Sequence, residues 1–187
     1  MRHPLLLCAF LTYTSLQGYD EIDNLAQALK NIAETEDALM TAIKHYAPIT
    51  AIKDLLNKKA DVNSHGLNDR TPLHEACDQD NLALITLLIH NGANVKATDV
   101  NGITPLHLAY GIEAIKLLIT NGADINAADK MGLTPLHSAA DFPNFQAVEL
   151  LIKNGANIKA IDKSGKGPLA WSRCSKITLL LKNKGAA

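Results

Sequence analysis

Along most of the chain, apolar positions fall at helical spacing in short stretches separated by polar turns. Leu84, Ile85, Leu87 and Leu88 recur at three- and four-residue intervals within residues 81–91, which predicts an amphipathic helix with these four on its buried side. Just before it, Leu73 and Ala76 stand three apart in a second, shorter stretch and are expected to face the same core. Ile22, Leu25, Leu29 and Ile32 share one face of residues 20–35, which predicts a helix capping the amino-terminal end.

These stretches repeat. Thr-Pro-Leu-His stands at residues 71–74, 104–107 and 134–137, and a degenerate Gly167-Pro168-Leu169-Ala170 follows. Asn-Gly-Ala closes an apolar run at Ala93, Ala123 and Ala156, and Asp-x-x-Gly precedes the next copy at Asp99/Gly102, Asp129/Gly132 and Asp162/Gly165. Three independent signals share one phase, which marks a repeat architecture. Thr71, Thr104 and Thr134 suit helix N-caps, and the proline after each takes the first helical position, where a missing N–H costs nothing. Gly92, Gly122 and Gly155 are placed to end the second helix in the left-handed conformation that glycine adopts cheaply.

On these motifs the chain resembles the ankyrin repeat family over residues 38–187. The resemblance implies an all-α solenoid, each unit being two antiparallel helices joined to the next by a β-turn or hairpin loop. Units fall at 38–70, 71–103, 104–133, 134–166 and 167–187, after a capping segment at 19–37. The first unit lacks Thr-Pro and carries Lys59 where glycine would end its second helix. It places Ile52, Leu55 and Leu56 at core positions. In its turn Gly66 and Asp69 exchange the usual Asp and Gly; aspartate tolerates positive φ better than most residues. The third and fifth units lack three residues between their helices, which predicts a tightened back edge and a protruding loop at Phe142, Pro143, Asn144 and Phe145.

Composition agrees with helices: Ala 26 and Leu 28 are abundant, while Val 4 is scarce. A net charge of −1 gives no electrostatic reason to expect nucleic acid. Residues 1–18 place Arg2 before an apolar run at 5–11 and then small polar residues, the layout of a short secretory signal. The run is too short for stable membrane insertion. A mature chain beginning near Tyr19 is therefore secreted or periplasmic; an uncleaved chain is cytoplasmic. Cys77 and Cys174 fall in units three apart, out of disulfide reach in an array where each unit touches its neighbours.

Catalytic chemistry has no anchor in this sequence. It holds no Walker loop, nucleophile elbow or Cys-x-x-Cys pair, and so predicts no enzyme, no cofactor site and no metal site. His74, His107 and His137 recur with the repeat but lack partners at ligand spacing. As is usual in the ankyrin family, each is expected to bond its cap threonine and a turn backbone. Cys77 is expected to be a small core residue.

What remains is a surface. Repetition of turn tips and first helices creates an extended concave face, and positions that vary between units are free to encode specificity. At the tips these are Leu67, Asn68 and Arg70; Val100, Asn101 and Ile103; Lys130, Met131 and Leu133; then Lys163, Ser164 and Lys166. Along the first helices they are Glu75, Asp78, Leu108, Tyr110, Ser138, Asp141, Trp171 and Arg173. Apolar tips flanked by charge resemble an interface with an apolar centre and a polar rim, and Trp171 would suit an anchor. The sequence thus predicts a monomer that binds a partner protein through the concave face. Its composition resembles that of small ankyrin proteins of intracellular bacteria, for which an exported chain would meet a host target. The alternative is a regulatory or inhibitory subunit of an enzyme of the same cell.

Overall fold

The computed structural model describes residues 38–186; the proposed signal at 1–18 and capping helix at 19–37 lie outside the described residues. The chain divides into two units, Met1–Ala60 and Asp61–Ala187. Ten α-helices and no strands are present among the described residues.

In the first unit, α1 (Ala38–Lys44) and α2 (Ile49–Asn57) pack as a pair. Leu39, Ile43 and Ile52 are fully buried, whereas Leu55 and Leu56 are half-buried. Lys59 ends α2 at φ 69°, taking the left-handed conformation expected of glycine. Its N–H reaches the Leu56 carbonyl and the Ala60 N–H reaches that of Leu55, so helix termination proceeds without glycine.

The second unit stacks four helix pairs. They are α3 (Pro72–Asp78) with α4 (Leu82–His90), α5 (Pro105–Leu108) with α6 (Ile112–Thr120), α7 (Pro135–Asp141) with α8 (Phe145–Lys153), and α9 (Pro168–Trp171) with α10 (Ser175–Asn183). First helices pack on first helices and second helices on second helices, giving two layers with the core between them. Leu73, Leu106 and Leu136 from one layer and Ile85, Ile115, Val148 and Ile177 from the other are fully or almost fully buried. Truncating one such leucine to alanine costs about 2–5 kcal/mol, so these positions dominate stability. Leu87, expected on the buried side of α4, is only half-buried. It turns toward the outer surface because α4 offers three fully packed positions, Leu84, Ile85 and Leu88, to the core.

Second helices end alike. Asn91, Asn121 and Asn154 each donate a side-chain N–H to the carbonyl four residues back, at 2.8 Å, and Gly92, Gly122 and Gly155 follow with φ 88°, 89° and 96°. In α10 the asparagine is replaced by Lys184, and Gly185 still follows at φ 88°.

The three-residue deletions act differently from the sequence expectation. They remove the last turn of the first helix: α5 and α9 have 4 residues where α3 and α7 have 7. Ala109, after α5, is already extended at φ −79°, ψ 124°. The Phe142 loop does not simply project. Phe142, a residue 52% exposed, stacks its ring on Tyr110 beside the shortened helix. Pro143 stays exposed.

Candidate functional site

The turn tips are built by one aspartate each. Asp99 Oδ1 accepts from the N–H of Asn101 at 2.7 Å and of Ile103 at 2.9 Å, and Asp129 Oδ1 from Met131 and Leu133, both at 2.8 Å. Gly102 and Gly132 let this turn form at φ 79° and 80°, and there a Cβ would crowd the backbone of the next tip at 3.1–3.3 Å. In the first tip Asp69 and Asn68 take positive φ instead, 58° and 61°.

Successive tips are joined by one backbone hydrogen bond per junction. Val100 N–H donates to the Asn68 carbonyl at 2.9 Å, Lys130 to Asn101 at 2.7 Å, and Lys163 to Met131 at 2.8 Å. Histidine fastens the tips from behind. Thr71 donates its N–H and its hydroxyl to His74 Nδ1 at 3.1 and 2.8 Å, and His74 Nε2 donates to the Ile103 carbonyl of the next tip at 2.9 Å. His107 joins Thr104 to Leu133, and His137 joins Thr134 to Lys166, in the same way. A backbone N–H can only donate and a carbonyl can only accept, so each ring is neutral with its proton on Nε2. Burial lowers the pKa of all three, more than the carbonyl contacts raise it.

The candidate residues divide by environment. Leu67 (76% exposed), Val100 (39%) and Met131 (60%) present apolar side chains from consecutive tips, and Asn68, Asn101, Lys130, Lys163 and Lys166 are exposed beside them. Ile103 and Leu133 are half-buried, and their carbonyls receive the histidines. Arg70 pairs with Glu75 (3.5 Å) and Asp78 (3.2 Å), and Arg173 pairs with Asp141, so part of the expected charged rim is matched within the chain.

Trp171 is half-buried, and its indole N–H donates to Asp162 Oδ2 at 2.9 Å. Hydrogen bonds from the Ser164 hydroxyl first, then from Lys166 N–H and Trp171, hold the Asp162 carboxyl well below the usual carboxylate range. Tyr110 brings candidates from three repeats together. Its hydroxyl donates to the Asp78 carbonyl, its carbonyl accepts from Asn144 Nδ2 at 2.7 Å, and its ring stacks on Phe142. A hollow of about 130 Å³ opens there beside Leu108, Ser138 and Ala139. Phe142 and Asn144 were not legible as partners of Tyr110, because a spacing of more than thirty residues becomes contact only in the stack.

Cys77 is fully buried and free, and burial pushes its thiol far above the usual range, so it is inert core. Among the described residues no group of three or more His, Cys, Asp and Glu could hold a metal ion. No helix there is long and apolar enough to cross a membrane.

Known proteins are similar to parts of this chain in sequence. The family model for ankyrin repeats (3 copies) matches residues 11–99, 39–129, 73–162 and 109–186. Target of rapamycin complex 2 subunit AVO2 of Saccharomyces cerevisiae is 46% identical over 52 residues, 27% of this chain and 12% of that protein. An ankyrin repeat protein of fowlpox virus is 33% identical over 79 residues, 40% of this chain and 54% of its own length. The Notch-regulated ankyrin repeat-containing protein of Xenopus tropicalis is 34% identical over 61 residues, 32% and 54% of the two chains. This chain therefore spans about half the length of the two shorter relatives and a small part of the yeast subunit. With a family model for ankyrin repeats matching successive, overlapping stretches across residues 11–186, the chain belongs to the ankyrin-repeat family.

Proposed function

We propose that this protein binds a partner protein through the face formed by its turn tips and first helices. Ankyrin repeats are protein–protein interaction modules, and the family is typically non-catalytic. One observation carries the assignment to this face. Leu67, Val100 and Met131 stand exposed on consecutive tips whose backbones are hydrogen-bonded to one another and pinned by buried histidines. A preorganised apolar row gives up little entropy on binding, and Lys130, Lys163 and Lys166 beside it form no ion pair among the described residues.

Capture from the native source with wild type and with a Leu67→Asp, Met131→Asp double variant of unchanged stability tests this. Loss of the wild-type partners from the variant is expected, and identical partners on both would sink the proposal.

Export of the chain, with a target outside the producing cell, is part of the same proposal and rests on the layout of residues 1–18. The alternative is a regulatory or inhibitory subunit that stays with an enzyme of its own cell. Amino-terminal sequencing of the native protein separates the two. A start near Tyr19 supports export; an intact Met1 ends that reading and leaves the regulatory one.

A further inference from the structure

The last repeat differs from the others on its outer surface, away from the tips. When the second helices are aligned, the outward position held by Thr86, Lys116 and Glu149 is Leu179 in α10, 60% exposed. The position held by half-buried Ile89, Ile119 and Ile152 is exposed Lys182. The lysine puts a charged side chain where the other repeats have an apolar one. The leucine goes the opposite way, placing an apolar side chain where every other described repeat has a polar one.

Leu179 does not stand alone. Two adjoining depressions of about 580 and 780 Å³, sharing Gln146 and Leu180, run between α8 and α10. Phe145, Leu179 and Leu180 supply an apolar floor, and Lys153, Lys176 and Lys184 line the edges. None of these lysines is ion-paired among the described residues, and Glu149 is the one acidic residue lining the groove. The charge is regional: residues 163–187 hold six basic residues and no acidic one, while residues 1–162 hold twelve basic against nineteen acidic.

We infer that this outer groove docks an acidic amphipathic helix of another protein. Its apolar side chains at i, i+3, i+4 and i+7 lie against Phe145, Leu179 and Leu180, and its carboxylates meet the three lysines. A helix suits a trough between two helices, and the described residues offer no strand edge for an extended peptide. A long polyanion is disfavoured, because beyond the groove it meets residues 1–162, which hold seven more acids than bases. This site is separate from the tip face and does not depend on that assignment.

The full-length protein is titrated by fluorescence anisotropy with four probes. They are a labelled eighteen-residue Leu/Glu amphipathic helix, its counterpart with Lys for Glu, a short DNA duplex and phosphatidylserine vesicles. Saturable binding of the Leu/Glu peptide is expected, at least about tenfold tighter than the Lys counterpart and weakened by salt. Leu179→Glu should weaken it about tenfold or more, and so should Lys176→Glu with Lys184→Glu, which keeps Leu179 should the first variant fold poorly. Met131→Asp should leave it unchanged. Absence of saturable binding, equal binding of both peptides, indifference to the groove variants, or tighter binding of DNA or vesicles would each overturn the proposal.

Discussion

Phe142 stacks on Tyr110 across a repeat boundary, with ring centroids 5.3 Å apart and planes 17° from parallel. The contact exists because α5 stops at Leu108. The chain leaves the helix one turn early, Tyr110 swings into the vacated space, and the next repeat's loop closes over it. Since the Tyr110 hydroxyl also reaches the Asp78 carbonyl, one side chain ties three repeats together at the site of the deletion.

A double-mutant cycle measures this tie. Tyr110→Ala, Phe142→Ala and the double variant, unfolded in urea, should show a coupling energy of about 0.5–1.5 kcal/mol. Additive losses would mean that the stack contributes only the area it covers.

The three histidines make stability depend on pH in a defined direction. Burial holds each folded pKa below the ordinary value near 6.5, so the unfolded chain takes up protons first as pH falls. Their contribution is complete above about pH 7 and should decline as pH drops from 6.5 toward 5. Protonation at Nδ1 would also set an N–H against the N–H of the cap threonine. At pH 7.5, His107→Ala should cost about 1–3 kcal/mol for the unpaired Thr104 N–H. Urea unfolding at pH 7.5 and 5.0 should show a smaller pH loss in that variant than in wild type.

Gly111 is a glycine for lack of room and not for its backbone, which is ordinary at φ −69°. A Cβ there would lie 2.3 Å from Asp80 Oδ1 of the preceding repeat. The obstructing atoms all belong to the exposed Asp80 side chain, which must swing aside, so Gly111→Ala should lose up to about 1 kcal/mol of stability. Asp80→Gly removes the obstructing carboxylate and suits its φ of 49°, so Gly111→Ala should cost much less in that background. Thermal melts of the four proteins would test the rescue.

Lys59 carries the opposite burden, a side chain on left-handed backbone at φ 69°. Lys59→Gly should raise the stability of its helix pair by about 1 kcal/mol, seen as a higher urea midpoint with unchanged slope. A fall would mean that the lysine makes a compensating contact.

Much of the fold was legible along the chain. Thr-Pro starts and Asn-Gly stops act on backbone groups within a few residues, so cap chemistry could be assigned to Thr71 and Gly92 without coordinates. The threonine–histidine pairing was expected from the resemblance to the ankyrin family. The shortening of α5 and α9 was not. A three-residue deletion reads alike whether it comes from a helix end or from a loop, and packing against the neighbouring repeat selects the outcome. The candidate face was legible only as a set of positions. Arg70 and Arg173 looked like free rim charges until the fold set them against Glu75, Asp78 and Asp141.

The sequence by itself determined the repeat and the ends of its helices, because those depend on interactions within one turn of chain. Tertiary structure alone decided the carbonyl each imidazole reaches, the stacking of Phe142 on Tyr110 and the trough in which Leu179 sits. Those depend on residues about thirty apart brought together by stacking, and local propensity carries no information about that geometry.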